Sequence, residues 1–248
     1  MAELLLSRGR RTPDKAAVTT PEGARMTYRD LELLSARFAN LLKGPHGIEK
    51  GDRIAVQVGK RPEILALNIA CARVGAIYLP LNTSYTDREV RELLDDATPS
   101  LLVRDTVLKH GTPKVDFARL LSAASGQSGD FDDVACDRGT PAAMIYTSGT
   151  TGRPKGALLT QGSLVSNCLA LMGVWEFTPD DVLLHVLPLY HIHGLCVASY
   201  CTLASGSSIL MMESSDIGDV VENISKATVI MGVPTHYTRM LSDPRLTR

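Results

Sequence analysis

Residues 146–160 read YTSGTTGRPKGALLT. An apolar run enters this stretch, a second apolar run leaves it, and the residues between are hydroxyls, glycines, one arginine, one proline and one lysine. Gly149, Gly152 and Gly156 allow positive φ and close backbone approach, so successive N–H groups can point at anionic oxygens. Thr147, Ser148, Thr150 and Thr151 add hydroxyl donors, and Lys155 a compact positive charge. The candidate polyphosphate-binding set is therefore Thr147, Ser148, Gly149, Thr150, Thr151, Gly152, Arg153, Pro154, Lys155 and Gly156. Charge-assisted hydrogen bonds contribute roughly 1.5–3 kcal/mol each, so a few of them support a useful affinity. The bland alternative is a surface connection, since Gly, Ser, Thr and Pro are ordinary loop residues; the density of eight such residues and two cations in ten positions between two strands argues against it.

Working outward, short apolar runs at 54–58 (IAVQV), 77–81 (IYLPL), 101–103, 144–146, 182–186 and 208–212 read as buried strands. Helical spacing lies between them. Thr27 is a candidate N-cap for a helix with Leu31, Leu34, Phe38, Leu41 and Leu42 on its apolar face, closed by Gly44 and Pro45. Further helices are expected over 62–74, ending at Gly75, after a cap at Thr86 or Asp87, and over 163–175. Alternation of this kind predicts an α/β fold with parallel or mixed sheets covered by helices, and ligands beyond the carboxyl ends of the strands. The segment 122–140, small, polar and glycine-bearing, reads as a linker between a first α/β subdomain at 1–121 and a second at 141–248.

The composition narrows the partners. With 248 residues, 44% of them hydrophobic, and a formal net charge of −1, the chain has an ordinary globular composition and no surplus of cations for a nucleic-acid backbone. A small molecule is the expected partner. Cys71, Cys136, Cys168, Cys196 and Cys201 contain no CxxC pair, which disfavours a disulfide framework or a zinc ribbon and suits a reducing compartment. The uncharged run 194–212 is broken by serines, threonine and glycine, so it reads as a buried helix and strand rather than a membrane span. The N-terminal MAELLLSRGRR is too short in apolar residues for a signal peptide; the expected location is cytoplasmic, with a mitochondrial address left open by Arg8, Arg10 and Arg11.

Pro154 occupies the place where a Walker loop needs glycine before its lysine, and the chain has no GxG, so a P-loop ATPase and a GxGxxG dinucleotide site are both disfavoured. The stretch instead resembles the signature of the adenylate-forming superfamily, which includes acyl-CoA synthetases. Residues 74–82 (VGAIYLPLN) and 187–195 (LPLYHIHGL) resemble its early core motif and its acyl-pocket motif. The resemblance implies the N-terminal part of such an enzyme. It implies ATP and coenzyme A as co-substrates, Mg2+ as the metal with Thr147 as one contact, and a two-step reaction through an acyl-adenylate to a thioester.

His191 and His193 follow a strand at alternate positions, and 231–241 (MGVPTHYTRML) adds His236 and Arg239. No acid lies between His185 and Met212, whereas amino-acid-activating relatives place an aspartate in this pocket. The combination resembles malonyl-CoA synthetases. It implies His191 beside the reacting carboxylate, with His193 and Arg239 as further substrate contacts and Arg239 on the second carboxylate of malonate or methylmalonate. A planar guanidinium suits that bidentate task. Alternatives stand beside each residue: a helix-surface cation for Arg239, a structural turn histidine for His193, and a metal site of His185, His191 and His193, disfavoured by the absence of acid or thiol ligands at familiar spacing. A short- or medium-chain fatty acid–CoA ligase is the neighbouring reading.

The resemblance also implies elements not found in these residues: an adenine-binding strand, a magnesium carboxylate, a ribose aspartate and a mobile C-terminal domain with a catalytic lysine. The expectation is a chain incomplete for turnover, with an open sheet edge that invites self-association. A nucleotide-binding or interaction fragment that never forms an adenylate is the alternative from another class.

Overall fold

The computed structural model describes residues 1–147, 155–213 and 215–246. Its strands are β1 (Ala16–Thr19), β2 (Arg25–Thr27), β3 (Arg53–Gln57), β4 (Ile77–Pro80), β5 (Leu101–Arg104), β6 (Lys114–Asp116), β7 (Pro141–Thr147), β8 (Lys155–Thr160), β9 (Val182–His185), β10 (Ser208–Met211) and β11 (Val229–Met231). The α-helices are α1 (Ala2–Leu6), α2 (Tyr28–Lys43), α3 (Glu63–Val74), α4 (Asp87–Ala97), α5 (Phe117–Ala124), α6 (Gln161–Val174), α7 (Tyr200–Ser205), α8 (Ile217–Asn223) and α9 (Pro234–Leu241). A π-helix, His193–Ser199, runs directly into α7.

The fold is mixed α/β, as the alternation predicts, and is built on two sheets in two compact units. One unit comprises Met1–Ala2, Glu32–Gly59 and Glu63–Ser166. Its sheet has the order β6-β5-β3-β4-β7-β8, parallel except for the antiparallel pair β7–β8. The other unit comprises Glu3–Leu31, Lys60–Pro62 and Asn167–Arg248. Its sheet has the order β11-β9-β10-β1-β2, with only β1–β2 antiparallel. Residues 122–140, read in the sequence as a linker, lie inside the first unit.

In the first unit Ala55, Leu79 and Leu102 of the sheet meet Val90, Leu93, Leu94 and Ala97 of α4 in one apolar cluster. The start of α4 is fixed by a capping box: Thr86 Oγ1 accepts from the Glu89 N–H while Glu89 Oε2 accepts from the Thr86 N–H. Removing such a cap costs about 1 kcal/mol. Helix α3 is buried on all sides, so its one guanidinium must be fully met. Arg73 donates to Asp133 Oδ1 (2.7 Å), Ser35 Oγ (3.1 Å) and Phe131 O (2.9 Å), which ties 131–134 against the helix. Gly75, at φ +73, then turns the chain into β4.

The second unit has its own core, in which Leu183 and Leu184 of β9, Leu210 of β10 and Met231 of β11 pack with Val220 and Met240. Thr27 does cap α2: its Oγ1 accepts from the Asp30 N–H, and Asp30 Oδ2 accepts from the Thr27 N–H. No helix of the described residues is long and apolar enough to cross a membrane.

Candidate active site

The motif at 146–160 sits on β7 and β8, whose ladder pairs Tyr146 with Gly156 and Thr147 with Lys155. Both Thr147 and Lys155 are exposed, and Thr147 Oγ1 donates to Lys155 O at 3.5 Å, the outer limit of a hydrogen bond. Ser148, Gly149, Thr150, Thr151, Gly152, Arg153 and Pro154 lie outside the described residues. Gly156 is closely overlain: a Cβ there would stand 2.2 Å from the Met144 methyl group and 3.4 Å from the Tyr146 ring. The Tyr146 hydroxyl donates to Asp96; burial and that neighbouring carboxylate both raise its pKa, so it stays protonated.

In the second unit, β9 and β11 run parallel, and their carboxyl-terminal ends stand side by side, with His185 opposite Met231. A cavity of about 450 Å³ opens here, lined by Trp175, Phe177, His193, Val229, Ile230, Met231, Gly232 and Tyr237. A ligand site at the ends of parallel strands is where this architecture is expected to have one. The lining is aromatic and aliphatic, with His193, the Tyr237 hydroxyl and the Trp175 indole N–H as its polar side-chain groups. Tyr237 Oη accepts from the Gly232 N–H (3.0 Å), which pins the start of α9 to the strand it follows. His236 accepts weakly from the Val233 N–H through Nδ1 (3.4 Å), and burial together with Arg239 lowers its pKa.

Of the residues expected to meet substrate, His193 reaches the cavity. His191 is exposed and stands edge-on to Tyr190, ring centroids 4.7 Å apart. Arg239, in the last turn of α9, is exposed, and no carboxylate partner is assigned to it among the described residues. Among the described residues no group of three His, Cys, Asp or Glu side chains could hold a metal ion, which disposes of a His185, His191 and His193 centre there.

In this unit the sequence reading overlooked Lys60 and weighed His185 only as part of a metal site. Lys60 Nζ donates to His185 O at 2.7 Å. Burial pushes its pKa down to about 7. His185 is itself 1% exposed, with its pKa pushed down to about 3 by burial and by Lys60. The available signal was a charge or imidazole next to an otherwise apolar strand, in 54–60 and 182–187.

A family model described as AMP-binding enzyme matches residues 5–248. The chain belongs to this family. Among the relatives is a feruloyl-CoA synthase of Amycolatopsis sp, 32% identical over 96% of this chain and 49% of its own length. The mitochondrial malonate–CoA ligase ACSF3 of Homo sapiens is 29% identical over 92% of this chain and 43% of its own. Among solved structures, ATP-bound MatB from Rhodopseudomonas palustris is 40% identical with a TM-score of 0.91, over 99% of this chain and 52% of that one. This member of the family thus spans about half the length of the curated relatives it matches.

Proposed function

We propose that this chain is the phosphate-gripping and acyl-pocket portion of an ATP-dependent acid–thiol ligase, and that its acid is a dicarboxylate of the malonate or methylmalonate type. The observation that carries the ATP assignment is the β7–β8 ladder, which sets the Thr147 hydroxyl and the Lys155 ammonium at the two ends of the glycine-rich stretch. The ATP-bound relative of the same fold supports it. In the reaction a carboxylate oxygen attacks the α-phosphorus of ATP, pyrophosphate leaves, and the thiol of coenzyme A then displaces AMP from the acyl-adenylate. No protein nucleophile is needed, so the chain contributes positioning and charge. Lys155 and the backbone of the glycine-rich stretch would hold the polyphosphate, His191 would lie beside the reacting carboxylate, and His193 would orient the acid from the cavity wall.

Magnesium is bound through carboxylates, waters and substrate phosphates. Among the described residues the proposed donor is the Thr147 hydroxyl alone, which does not make a site, so no step is assigned to the metal.

Arg239 supports the dicarboxylate reading because it is a cation without a carboxylate partner among the described residues, on the helix that follows the cavity-lining strand. The malonate–CoA ligases among the relatives support it too. The cavity favours a second reading: Trp175, Phe177 and Tyr237 form walls suited to an aromatic acid, and relatives include feruloyl-CoA synthases and an indoleacetate–CoA ligase. Carboxylate-dependent exchange of labelled pyrophosphate into ATP separates the two. Malonate or methylmalonate is expected to drive exchange with a lower KM than ferulate or indoleacetate; the reverse order transfers the assignment to aromatic acids, and exchange with no acid leaves only nucleotide binding.

A further inference from the structure

Seven residues from His193 to Ser199 form a π-helix, a rare conformation that is frequent at functional sites. Here it is held by one buried imidazole. His185 Nε2 lies 2.9 Å from Gly194 O and 3.1 Å from Ser199 Oγ, and Ser199 Oγ itself donates to Gly194 O at 2.8 Å. A carbonyl only accepts, so the bond to Gly194 O requires the proton on Nε2. Nδ1 is then a bare acceptor, and it is buried without a hydrogen-bond partner. Such an orphan costs about 1–3 kcal/mol.

The carbonyl that His185 grips belongs to the residue after His193. Gly194 is packed closely against the turn before it, where an added Cβ would collide with Pro188 O. The main chain of His185 is fixed as well, since Lys60 holds its carbonyl and β11 pairs it with cavity-lining Met231. One residue therefore joins two walls of the cavity, the β11 wall through its backbone and the His193 wall through its ring.

We propose that His185, clamped by Lys60, is the positioning residue that sets His193 in the acyl cavity and so governs use of the carboxylate rather than of ATP. This rests on the acid–thiol ligase reading, and the test keeps the two separable by including a readout without turnover. His185→Leu removes the donor at similar volume, and His185→Gln restores an N–H donor. In 15N-detected side-chain spectra of the ligand-free full chain, His185 should show protonated Nε2 and bare Nδ1. His193 should give one sharp environment in the parent and in His185→Gln, and a shifted or multiple one in His185→Leu. In pyrophosphate exchange, His185→Leu should raise the carboxylate KM about 10-fold or more with the ATP KM within about 2-fold, and His185→Gln should recover most of it. Lys60→Met should move the same parameter in the same direction, and Ser199→Ala provides a milder lesion of the same carbonyl should His185→Leu fail to fold. Unchanged His193 signals in a folded His185→Leu protein overturn the proposal whatever the activity. Equal rises in both KM values overturn its carboxylate assignment, whereas a parent without exchange, but with the predicted His193 response, upholds the positioning role and counts against turnover by this portion alone.

Discussion

Arg239 and Arg73 are both arginines on helices, and their surroundings assign them opposite work. Arg73 is buried and meets a carboxylate, a hydroxyl and a carbonyl, so its loss leaves Phe131 O and Asp133 without their donor. Arg73→Met should lower the stability of its unit by about 2–4 kcal/mol, read as a fall in urea midpoint at constant m-value. Arg239 is exposed, so its removal should leave stability within about 0.5 kcal/mol. On the proposed dicarboxylate reading its effect falls on binding: Arg239→Ala should raise the KM for malonate by about 10-fold or more while leaving acetate unaffected, because only a second carboxylate would face the lost guanidinium. Equal losses for the two acids would return Arg239 to the helix surface. From sequence, Arg73 was a cation inside an apolar helix and Arg239 a cation in a recognised motif. Burial, which tells them apart, is a property of the packed units and is not written in either local pattern.

At the scale of elements, the parts that could be read were those with a period or a cap. Helix α2 repeats its apolar face every three to four residues and opens on Thr27; α4 opens on Thr86; both caps form. Strands β3, β4, β5, β9 and β10 are continuous apolar runs and fall where expected. The short strands β1 and β11 pair with β10 and β9 from far along the chain, β2 and β6 are edge strands of three residues, and α5 overlaps the polar segment read as a linker. The run 194–212 was expected to be a helix and then a strand; it is a π-helix, a short α-helix and a strand. Apolar periodicity cannot separate a π turn from an α turn in a largely buried segment, because most positions of 194–204 are buried and no polar face marks the period. What selects the π turn is Gly194 against Pro188 O and the His185 ring on Gly194 O. Gly194→Ala must displace that backbone contact, so it should weaken carboxylate use about 10-fold or more with the far-UV circular dichroism retained. An unchanged carboxylate KM would mean that the turn does not shape the cavity.

For the molecule as a whole, the buried imidazole links stability to pH. His185 titrates near 6.5 when unfolded and at about 3 when folded, so between these values the unfolded chain binds a proton that the native protein does not. Its contribution is fully present above pH 6.5 and is lost as the pH falls towards 3, at up to about 1.4 kcal/mol per pH unit. Lys60 has the same sign in a higher window: its native pKa of about 7 against 10.5 makes stability rise between those values and leaves a penalty below them. Wild-type minus His185→Leu unfolding free energies should therefore slope between pH 6.5 and 3 and be flat in that range only if the imidazole is exposed and free to charge.

The ATP claim stands on residues 147–156 and is tested most directly by equilibrium binding. Titration calorimetry of ATP into the 248-residue protein and its Lys155→Ala variant should give saturable binding in the first, weakened about 10- to 100-fold in the second, as expected for one charge-assisted contact. Affinity that is equal in the two proteins would contradict the placement of the phosphates at this stretch.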